Sequence, residues 1–251
     1  MPAWTDDDLG ANPHAAADKA DRVQRMFAAI ARSYDLNNRL HSFGRDQSWR
    51  RKAVRLCAVR PTDCVLDVAC GTGDLTLAFA KAGPASVTGL DFTEEMLQIA
   101  QRKSQFVARD ADSRGPEFIR GDATALPFDD ASFDLVSIAF GIRNVSDPQL
   151  ALREFRRVLR LGGRLVVLEF SQPRNPIVRA FNRFYSSRVM PVTASLIARD
   201  RSGAYRYLPR SIQTFLSSQE MVASIQGAGF STVTAHPMTL GVCTAYLGRV
   251  S

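Results

Sequence analysis

A glycine turn followed by a distant acid is the feature of this sequence that points most directly to chemistry. An apolar run at residues 64–69 leads into Gly71-Thr72-Gly73, and a second apolar run ends at Asp91. Glycines let a ligand approach the backbone closely, because no side chain intervenes. A carboxylate at the end of the second strand can accept both hydroxyls of a ribose. The pattern therefore predicts a site for a nucleoside-containing cofactor.

The acids near the glycine turn favour S-adenosyl-L-methionine over a dinucleotide. A dinucleotide site has a third small residue and places a pyrophosphate at the helix N-terminus. Here Thr76 stands at the third position, and Asp74 would repel a pyrophosphate. S-adenosyl-L-methionine carries an ammonium and a sulfonium group. We expect Asp67 and Asp74 to flank the place that these two cations occupy.

The adenosine end of the cofactor is predicted at the end of a third strand. Asp122 and Ala123 follow a short strand at residues 117–120, and a carboxylate there can accept a hydrogen bond from the exocyclic amine of adenine. Apolar side chains are expected to enclose the base, namely Leu90, Phe92 and Leu126. The predicted cofactor-binding residues are Asp67, Gly71, Thr72, Gly73, Asp91, Asp122 and Ala123.

Strands and helices alternate from residue 64 onward, which predicts an α/β fold with a doubly wound, mostly parallel sheet. Seven strands are predicted, at residues 64–69, 86–91, 117–120, 133–139, 164–170, 231–236 and 242–249. Helices are predicted at residues 74–82, 94–104, 148–160 and 218–228. Gly162-Gly163 is expected to end the third of these helices. The last two strands are joined by too few residues for a parallel crossover, so they must pair antiparallel or leave the parallel pattern.

Three segments lie outside this alternation. Residues 1–18 are polar and aperiodic, which predicts disorder. Residues 19–60 have a helical pattern, interrupted at Ser33-Tyr34-Asp35, and are expected to form an N-terminal helical cap. Residues 174–215 are expected to form a basic helical insert or lid. The cap, the sheet and the insert together make a single domain over residues 19–251.

The excess positive charge of the chain is concentrated in this insert. The formal net charge is +7, and residues 174–210 hold eight arginines against one acid, Asp200. Aromatic residues between the arginines would suit nucleic acid or an anionic membrane surface, whereas a solvated helix face is the plainer alternative. Ile177, Phe181, Phe184 and Tyr185 fall on one helical face. Such a helix can lie on a bilayer or fold over a lipid-like substrate, and a homodimer or core contact is the competing interpretation.

The composition excludes several classes of protein. The chain is 45% apolar and 23% charged, which is ordinary for a globular protein. It has no apolar run long enough for a transmembrane helix and no signal peptide pattern, so a cytoplasmic protein is expected, with a peripheral contact at the inner face of the membrane as an option. Four cysteines without a C-x-x-C pair, and only three histidines, argue against a metal site.

Several longer strings in the sequence are more specific than the glycine turn. They are Tyr34-Asp35-Leu36-Asn37-Asn38, Gly121-Asp122-Ala123, Phe140-Gly141-Ile142-Arg143-Asn144-Val145, the run from Arg157 to Ser171, and Ser202-Gly203-Ala204-Tyr205-Arg206-Tyr207-Leu208. Together they resemble the ubiquinone/menaquinone biosynthesis C-methyltransferase family over about residues 21–250.

The resemblance implies a Rossmann-like class I methyltransferase that uses S-adenosyl-L-methionine to methylate a ring carbon of a polyprenyl quinol. It also implies that Thr72, Asp91 and Asp122-Ala123 contact the cofactor. Two positions depart from the family pattern: Cys70 stands where glycine is frequent, and Ala139 where serine is frequent. Demethylmenaquinol and a polyprenyl-methoxybenzoquinol both fit as substrates, with a slight preference for the menaquinone precursor.

Methylation of a quinol carbon requires a hydroxyl of the ring to ionise, because the phenolate pushes charge into the ring. A phenol has a pKa of about 10, so the site must supply a base or stabilise the oxyanion. The resemblance points to Arg143 as the oxyanion partner, with Asn144 as a hydrogen-bond donor. A structural salt bridge is the other interpretation of Arg143. Tyr34, Asp35 and His41 are candidate bases or substrate contacts, and the reaction needs no metal.

Two rival functions come from other classes. A nucleic-acid methyltransferase that modifies exocyclic amines has an Asn/Asp-Pro-Pro-aromatic string after the fourth strand, where this chain has Phe140-Gly141-Ile142-Arg143. Cytosine C5 chemistry needs a cysteine near that strand, and Cys70 and Cys243 are elsewhere. Nucleic acid is therefore not expected as a partner. A non-catalytic module that only binds the cofactor stays open as an alternative.

Overall fold

A seven-stranded sheet lies at the centre of this computed structural model, which describes residues 3–10, 12–106, 115–198 and 202–251. The strands are β1 (Cys64–Val68), β2 (Ser86–Asp91), β3 (Glu117–Arg120), β4 (Phe133–Ala139), β5 (Leu159–Phe170), β6 (Thr232–Met238) and β7 (Cys243–Arg249). Their order across the sheet is β3-β2-β1-β4-β5-β7-β6. The helices are α1 (Asp6–Gly10), α2 (Lys19–His41), α3 (Arg45–Leu56), α4 (Asp74–Ala80), α5 (Glu94–Ser104), α6 (Pro148–Val158), α7 (Pro176–Phe184), α8 (Met190–Ala198), α9 (Ala204–Gln213) and α10 (Ser218–Gly227).

The pairing of the strands confirms the predicted sheet. Neighbours from β3 to β5 are parallel, and β7 runs antiparallel to both β5 and β6. The strand order reverses between β1 and β4, and open α/β sheets bind ligands at the carboxyl ends of the strands beside such a reversal. Ala69 and Phe140 directly follow these two strands. The topology therefore fixes where a ligand site is to be sought.

Alternating side chains of the central strands bury both faces of the sheet. Leu66 and Val136 point to one face, where α6 and α10 pack, whereas Val65 and Leu135 point to the other, where α3 and α4 pack. Burial on both faces explains why these strands read as continuous apolar runs in the sequence. The same burial makes the strand ends firm supports for the loops that follow them.

The predicted end of the helix at residues 148–160 is wrong. Helix α6 ends at Val158, and β5 begins at the next residue, so Gly162 and Gly163 lie within the strand. On β5, Leu159 pairs with Phe133 and Arg164 pairs with Leu135. Residues 160–163 therefore form a bulge outside the regular pairing with β4. Gly162 lies in this bulge and has φ +76°. Glycine adopts such a conformation as readily in a bulge as after a helix, so its presence did not distinguish the two.

The predicted interruption of the cap at Ser33-Tyr34-Asp35 is also wrong. Helix α2 continues from Lys19 to His41, and the chain turns instead at Ser42-Phe43-Gly44, where Gly44 has φ +71°. Tertiary contacts stabilise the helix at the predicted break, because the Asp35 carboxylate accepts hydrogen bonds from Thr72 and Lys103. Helix propensity alone is a weak guide where such contacts exist.

The described part of the N-terminal segment, residues 3–10 and 12–18, has regular structure where the sequence predicted disorder over residues 1–18. It contains α1 and a 3₁₀ turn at Pro13–Ala15. The Trp4 ring is fully buried and stacks on Tyr207 with 4.7 Å between the ring centroids. The backbone N–H groups of Ala3 and Trp4 donate to the Ser202 carbonyl. Composition does not reveal that a single aromatic residue in a polar stretch is buried, so it predicted disorder for this segment.

The basic insert folds into helices above the carboxyl end of the sheet. Helix α7 continues through a π-helical turn at Tyr185–Val189 into α8, and α9 follows after residue 203. The side chains of Ile177 and Phe181 are 78% and 68% exposed. Within the described ranges, no helix is both long enough and apolar enough to cross a bilayer.

Candidate active site

A cavity of about 110 Å³ lies at the carboxyl ends of β1, β2, β3 and β4. Four of the predicted cofactor residues border it, namely Gly71, Asp91, Asp122 and Ala123. Leu90 and Phe92 also border it, as expected for side chains that enclose a base. The predicted third member of that set, Leu126, lies instead in the apolar core beside α6. We call this space the cofactor cavity.

The Asp91 carboxylate is held rigidly at the edge of the cofactor cavity. Its Oδ2 accepts a hydrogen bond from the Gly71 N–H at 2.7 Å, and its Oδ1 accepts one from the Thr93 N–H at 2.8 Å. Burial raises the pKa of Asp91, while these backbone donors oppose that rise. Each carboxylate oxygen keeps a further lone pair. The group is thus oriented to accept the two hydroxyls of a ribose.

The backbone around the cofactor cavity is strained where β1 and β4 end. Ala69 has φ 50° and Phe140 has φ 56°, and non-glycine residues rarely adopt positive φ. Both residues border the cavity. Gly71 has φ +56°, and a Cβ at this position would meet no atom within 4 Å, which leaves open space for a ligand. Such strain is typical of binding sites, and the space beside Gly71 fits a nucleoside cofactor.

The loop after β3 supplies the far end of the cofactor cavity. The Oδ1 atom of Asp122 accepts hydrogen bonds from the N–H and the hydroxyl of Thr124, both at 2.8 Å. These bonds fix the carboxylate in a tight turn, and the small side chain of Ala123 lies beside it at the cavity wall. This arrangement is compatible with the predicted hydrogen bond from an exocyclic amine of adenine.

The two acids that we expected to flank a cationic ligand have other partners. Asp67 is buried beneath the glycine turn, where its oxygens accept hydrogen bonds from the hydroxyls of Thr76 at 2.6 Å and Ser137 at 2.7 Å. Burial raises the pKa of Asp67 to about 6. Asp74 forms an ion pair with Lys103. Neither acid borders the cofactor cavity, so the expected pair of anionic walls is not present there.

Thr72 and Gly73 lie behind the cofactor cavity rather than at its wall. The Thr72 hydroxyl donates to Asp35 Oδ1 at 2.6 Å, and Lys103 forms an ion pair with the same carboxylate at 2.9 Å. These contacts join the glycine turn to α2. Gly73 is the N-cap of α4, and a Cβ on it would lie 3.0 Å from the Ala100 Cβ. Both residues therefore pack the turn against neighbouring helices.

Helix α2 covers the open side of the cofactor cavity. Ala20 and Val23 border the cavity from this helix. Lys19 Nζ donates to the Val145 carbonyl at 2.6 Å, and Gln24 Nε2 donates to the Phe92 carbonyl at 3.3 Å. Burial lowers the pKa of Lys19 to about 8. Sequence reasoning had no specific signal for these two anchors, because each donates to a backbone carbonyl far along the chain.

A second and much larger cavity, of about 920 Å³, lies between the cap, the ends of β4 and β5, and the insert. We call it the acceptor cavity. Phe27, Tyr34 and Phe140 border both cavities, so the two spaces meet at these side chains. Molecules bound in the two cavities would therefore be neighbours at this boundary.

Arg143 borders the acceptor cavity and is only 4% exposed. Its Nη1 donates to the Phe140 carbonyl and to Glu169 Oε1, both at 2.7 Å. The guanidinium carbon lies 5.4 Å from the centroid of the Phe170 ring. Burial raises the pKa of Glu169, which the charge of Arg143 opposes. The structural ion pair and the position beside the substrate space, which we treated as alternatives, therefore occur together.

Asn144 is directed to the other cavity. It borders the cofactor cavity, its Nδ2 donates to the Phe140 carbonyl at 3.3 Å, and its Oδ1 accepts a hydrogen bond from the Tyr207 hydroxyl at 3.0 Å. Arg143 and Asn144 thus fix the same carbonyl from two sides. Tyr207 links this turn to α9 and, by stacking, to Trp4.

The three candidate bases of α2 have different surroundings. Tyr34 lies at the boundary of the two cavities, and burial raises its pKa. Asp35 is engaged by Thr72 and Lys103. His41 borders the acceptor cavity, its Nδ1 lies 3.2 Å from the Tyr185 hydroxyl, and burial lowers its pKa. Of the three, His41 combines a basic ring nitrogen with a place in the acceptor cavity.

Several polar residues of the site were missed by sequence reasoning. Glu169 is a lone acid in the apolar run of β5, and that contrast was the signal that could have identified it. Asp46 and Arg50 form a buried ion pair on α3 with 3.0 Å between Oδ2 and Nη1. Their i, i+4 spacing is too common on solvated helices to indicate burial. All four cysteines are free, and no metal-binding group of three side chains is found within the described ranges.

The sheet order, the strained strand ends and the acid at the end of β2 fit the fold of class I S-adenosyl-L-methionine-dependent methyltransferases. Solved structures agree with this fold. A SAM-dependent methyltransferase of Thermotoga maritima has a TM-score of 0.61 at 20% identity, covering 91% of this chain and 100% of that chain. A SAM-dependent methyltransferase of Aquifex aeolicus has a TM-score of 0.61 at 16% identity, covering 86% and 98%.

The chain belongs to the ubiE/COQ5 methyltransferase family, whose model matches residues 15–249. It is 42% identical over 234 residues to the ubiquinone/menaquinone biosynthesis C-methyltransferase UbiE of Geotalea daltonii, covering 92% of this chain and 97% of that protein. It is 46% identical over 226 residues to the demethylmenaquinone methyltransferase of Thermus thermophilus, covering 89% and 99%. The family resemblance read from the sequence strings is confirmed.

Proposed function

We propose that this protein methylates a ring carbon of a lipophilic polyprenyl quinol in quinone biosynthesis, with S-adenosyl-L-methionine as the methyl donor. The observation that carries the proposal is the meeting of the cofactor cavity with an acceptor cavity about eight times larger. Aromatic side chains and a buried arginine surround that boundary, which suits a flat phenolic ring. The relatives are named for ubiquinone and menaquinone biosynthesis, and demethylmenaquinol is our preferred substrate.

The cofactor, when bound, supplies an electrophilic methyl group on its sulfonium. Asp91 and Gly71 hold the ribose end, and Asp122 holds the adenine end. Tyr34 and Phe140 separate the donor from the acceptor and restrict the direction of approach. Methyl transfer gains most from such positioning, because the reacting atoms must lie in line.

Arg143 stabilises the phenolate form of the acceptor. A buried positive charge lowers the pKa of a neighbouring phenol, whose ordinary value is about 10. Glu169 and the Phe140 carbonyl hold the guanidinium in place, so little reorganisation is needed when charge develops on the substrate oxygen. His41, neutral because burial lowers its pKa, is our candidate to accept the hydroxyl proton. The carbon–carbon bond forms as the methyl–sulfur bond of the donor breaks, and the ring hydrogen is then lost as a proton to water, which restores the aromatic ring.

Transfer of a labelled methyl group tests this proposal. Purified protein is incubated with labelled S-adenosyl-L-methionine and, separately, with a demethylmenaquinol, a polyprenyl-methoxybenzoquinol, transfer RNA and duplex DNA. We expect label in the demethylmenaquinol and none in either nucleic acid. Label in a nucleic acid would support the rival enzyme class. Cofactor binding without transfer to any acceptor would support the non-catalytic module.

We also propose that the outer surface of the cap and insert contacts an anionic bilayer. Phe43, at the end of α2, lies with its ring 5.6 Å from Tyr185, so the exposed apolar side chains of the two elements adjoin. This apolar rim consists of Leu36, Leu40, Phe43, Ile177, Phe181 and Phe184. Exposed arginines lie beside it at the acceptor cavity, namely Arg179, Arg183 and Arg188. Flotation with anionic vesicles at low and high salt tests the contact, and failure to float at either salt would contradict it.

A further inference from the structure

The amino acid end of the cofactor has no assigned partner so far. The ribose is anchored at Asp91, and the methyl group must reach the boundary at Tyr34 and Phe140. The methionine portion therefore extends from the cofactor cavity toward that boundary. It carries an α-carboxylate, and a carboxylate leaving water for a buried site needs a cation or several hydrogen-bond donors. The question is which cation of this chain lies there.

The charged side chains near the boundary differ in how far they are already neutralised. Lys103 forms ion pairs with both Asp35 and Asp74. Arg143 is directed to Glu169 at the end of β5. Arg39 is about half exposed. Lys103 is therefore already neutralised, Arg39 is too exposed, and Arg143 is the group that we assign to the oxygen of the acceptor.

Arg50 has the position and the spare hydrogen-bonding capacity. It is 6% exposed, and its guanidinium carbon lies 5.3 Å from the centroid of the Phe140 ring. Within the described part of the chain, it pairs with one acid, Asp46, through a single nitrogen at 3.0 Å. A guanidinium has five N–H donors in a fork that matches a carboxylate.

The field of Arg50 reaches the groups that surround the expected path of the methionine portion. Burial raises the pKa of Asp67 beneath the glycine turn and of Tyr34 at the cavity boundary, and the charge of Arg50 opposes both rises. Together with Lys103, Arg50 also keeps the pKa of Asp74 at the start of α4 low. These three residues lie on three different elements. Arg50 borders the acceptor cavity beside Phe140, and Phe140 borders both cavities, so the guanidinium lies next to the boundary that the methionine portion of the cofactor must approach.

We infer that Arg50, oriented by Asp46, binds the α-carboxylate of the methionine portion of S-adenosyl-L-methionine. The inference rests on the cofactor assignment but not on the identity of the quinol. Arg50 lies on a helix before the glycine turn, so the cofactor site extends to α3. The Asp46 carboxylate also accepts hydrogen bonds from Ser42 at 3.0 Å and Gln47 at 3.1 Å, which restrict its movement.

The experiment is a binding comparison that requires no turnover. Isothermal titration calorimetry measures the affinity of the protein for S-adenosylhomocysteine and for its analogue lacking the α-carboxylate. For the unmodified protein we expect the carboxylated ligand to bind about 100-fold more tightly, since buried charge-assisted pairs are strong. In Arg50→Gln this preference should fall to about threefold, chiefly through weaker binding of S-adenosylhomocysteine. Arg51→Gln, at the exposed neighbouring position, should leave both affinities unchanged.

Two further variants keep the test decisive if Arg50→Gln folds poorly with Asp46 left unpaired. Asp46→Asn/Arg50→Gln removes both charges and should show the same loss of preference. Asp46→Asn alone frees Arg50 from its competing acid and should retain or increase the preference. Equal weakening of both ligands in the Arg50 variants, or no preference in the unmodified protein, would overturn the inference. No binding of S-adenosylhomocysteine at all would instead contradict the cofactor assignment and with it the proposed function.

Discussion

The cofactor cavity and the acceptor cavity lie side by side but are built in different ways. The cofactor cavity is formed by the ends of four strands, and its central acid, Asp91, is fixed by two backbone N–H groups. The acceptor cavity is formed mostly by side chains of the cap and the insert, and the strand ends contribute a smaller part, namely Phe140 and Arg143 after β4, residues 170–173 at the end of β5, and Val242 before β7. One site is a property of the sheet, and the other is a property of how added helices pack on it.

This difference has consequences for rigidity and for specificity. Strand ends beneath a close-packed core cannot move without disturbing the sheet, so the cofactor cavity keeps its geometry. Helices that contact the sheet through a few anchors can change position or sequence at lower cost. The acceptor cavity is therefore the part of the molecule that determines which ring is methylated. It is also the part that faces the exposed apolar rim.

Loss of Arg143 is expected to have the largest effect and to be confined to the acceptor side. We expect Arg143→Met to lower the rate constant of methyl transfer by about 10²–10³-fold, the usual effect of removing an oxyanion donor. The affinity for S-adenosylhomocysteine should stay within about threefold, because Arg143 does not border the cofactor cavity. Single-turnover transfer and calorimetry measure the two quantities separately.

The control for this prediction removes the acid that Arg143 neutralises. Arg143→Met leaves Glu169 buried without its partner, which costs stability on the order of 3–5 kcal/mol. Arg143→Met/Glu169→Met should recover most of the thermal stability but none of the activity. Recovery of transfer in the double variant would show that Arg143 serves only as a structural ion pair.

Loss of Asp91 is expected to affect the cofactor side. In Asp91→Ala the ribose loses its acceptor, and the N–H groups of Gly71 and Thr93 lose the bonds that shape the turn. Charged hydrogen bonds of this kind contribute about 1.5–3 kcal/mol each, so the affinity for S-adenosylhomocysteine should fall by about 100-fold or more. Calorimetry measures the loss, and Asp130→Ala, at an exposed acid away from both cavities, is the matched control. An affinity within threefold of the original would remove Asp91 from the cofactor site.

The comparison also explains what the sequence could predict. The strand Phe133–Ala139 was predicted at its observed boundaries, because burial on both faces leaves an uninterrupted apolar run. Gly71, Asp91, Asp122 and Ala123 were placed at the cofactor cavity because each lies within a few residues of a strand end. Residues at strand ends can be located from their distance in sequence to an apolar strand, and this distance can be measured in a single sequence.

The remaining errors concern contacts between distant segments. Asp74 has the spacing of a ligand-binding acid, but its partner Lys103 lies on another helix. Asp67 likewise meets Ser137 only because β1 and β4 are neighbours in the sheet. Trp4 is a single apolar residue in a polar stretch, and its partner Tyr207 lies two hundred residues away. Periodicity and spacing contain no information on such pairs.

The buried Asp67 carboxylate predicts a specific dependence of stability on pH. Burial raises its folded pKa to about 6 from an ordinary value of 3.8, so the folded state holds more protons than the unfolded state between these values. The stabilising contribution of this group is present at low pH and is lost as the pH rises through the folded pKa. Relative to Asp67→Asn, the unfolding free energy of the unmodified protein should therefore fall by about 2–3 kcal/mol between about pH 4 and about pH 7.

Urea unfolding of both proteins across this pH range measures the difference between their unfolding free energies. The contributions of the other carboxylates cancel in this difference, because both proteins contain them. A difference that is constant with pH would mean that Asp67 titrates normally and is accessible to water. That outcome would weaken the contrast between the two cavities, since it would make the base of the cofactor cavity as open as the acceptor cavity.

The apolar rim gives the smallest expected effect and the one most specific to the acceptor side. Ile177→Ser/Phe181→Ser removes two exposed apolar side chains from α7 without touching the core. Partial insertion of such side chains contributes about 1–2 kcal/mol in total, so binding to anionic vesicles should weaken about tenfold while cofactor affinity is unchanged. Leu161→Ser is the matched control, because Leu161 is equally exposed but lies near the opposite end of β5. Equal losses in both variants would mean that vesicles bind the protein through general surface hydrophobicity rather than through the mouth of the acceptor cavity.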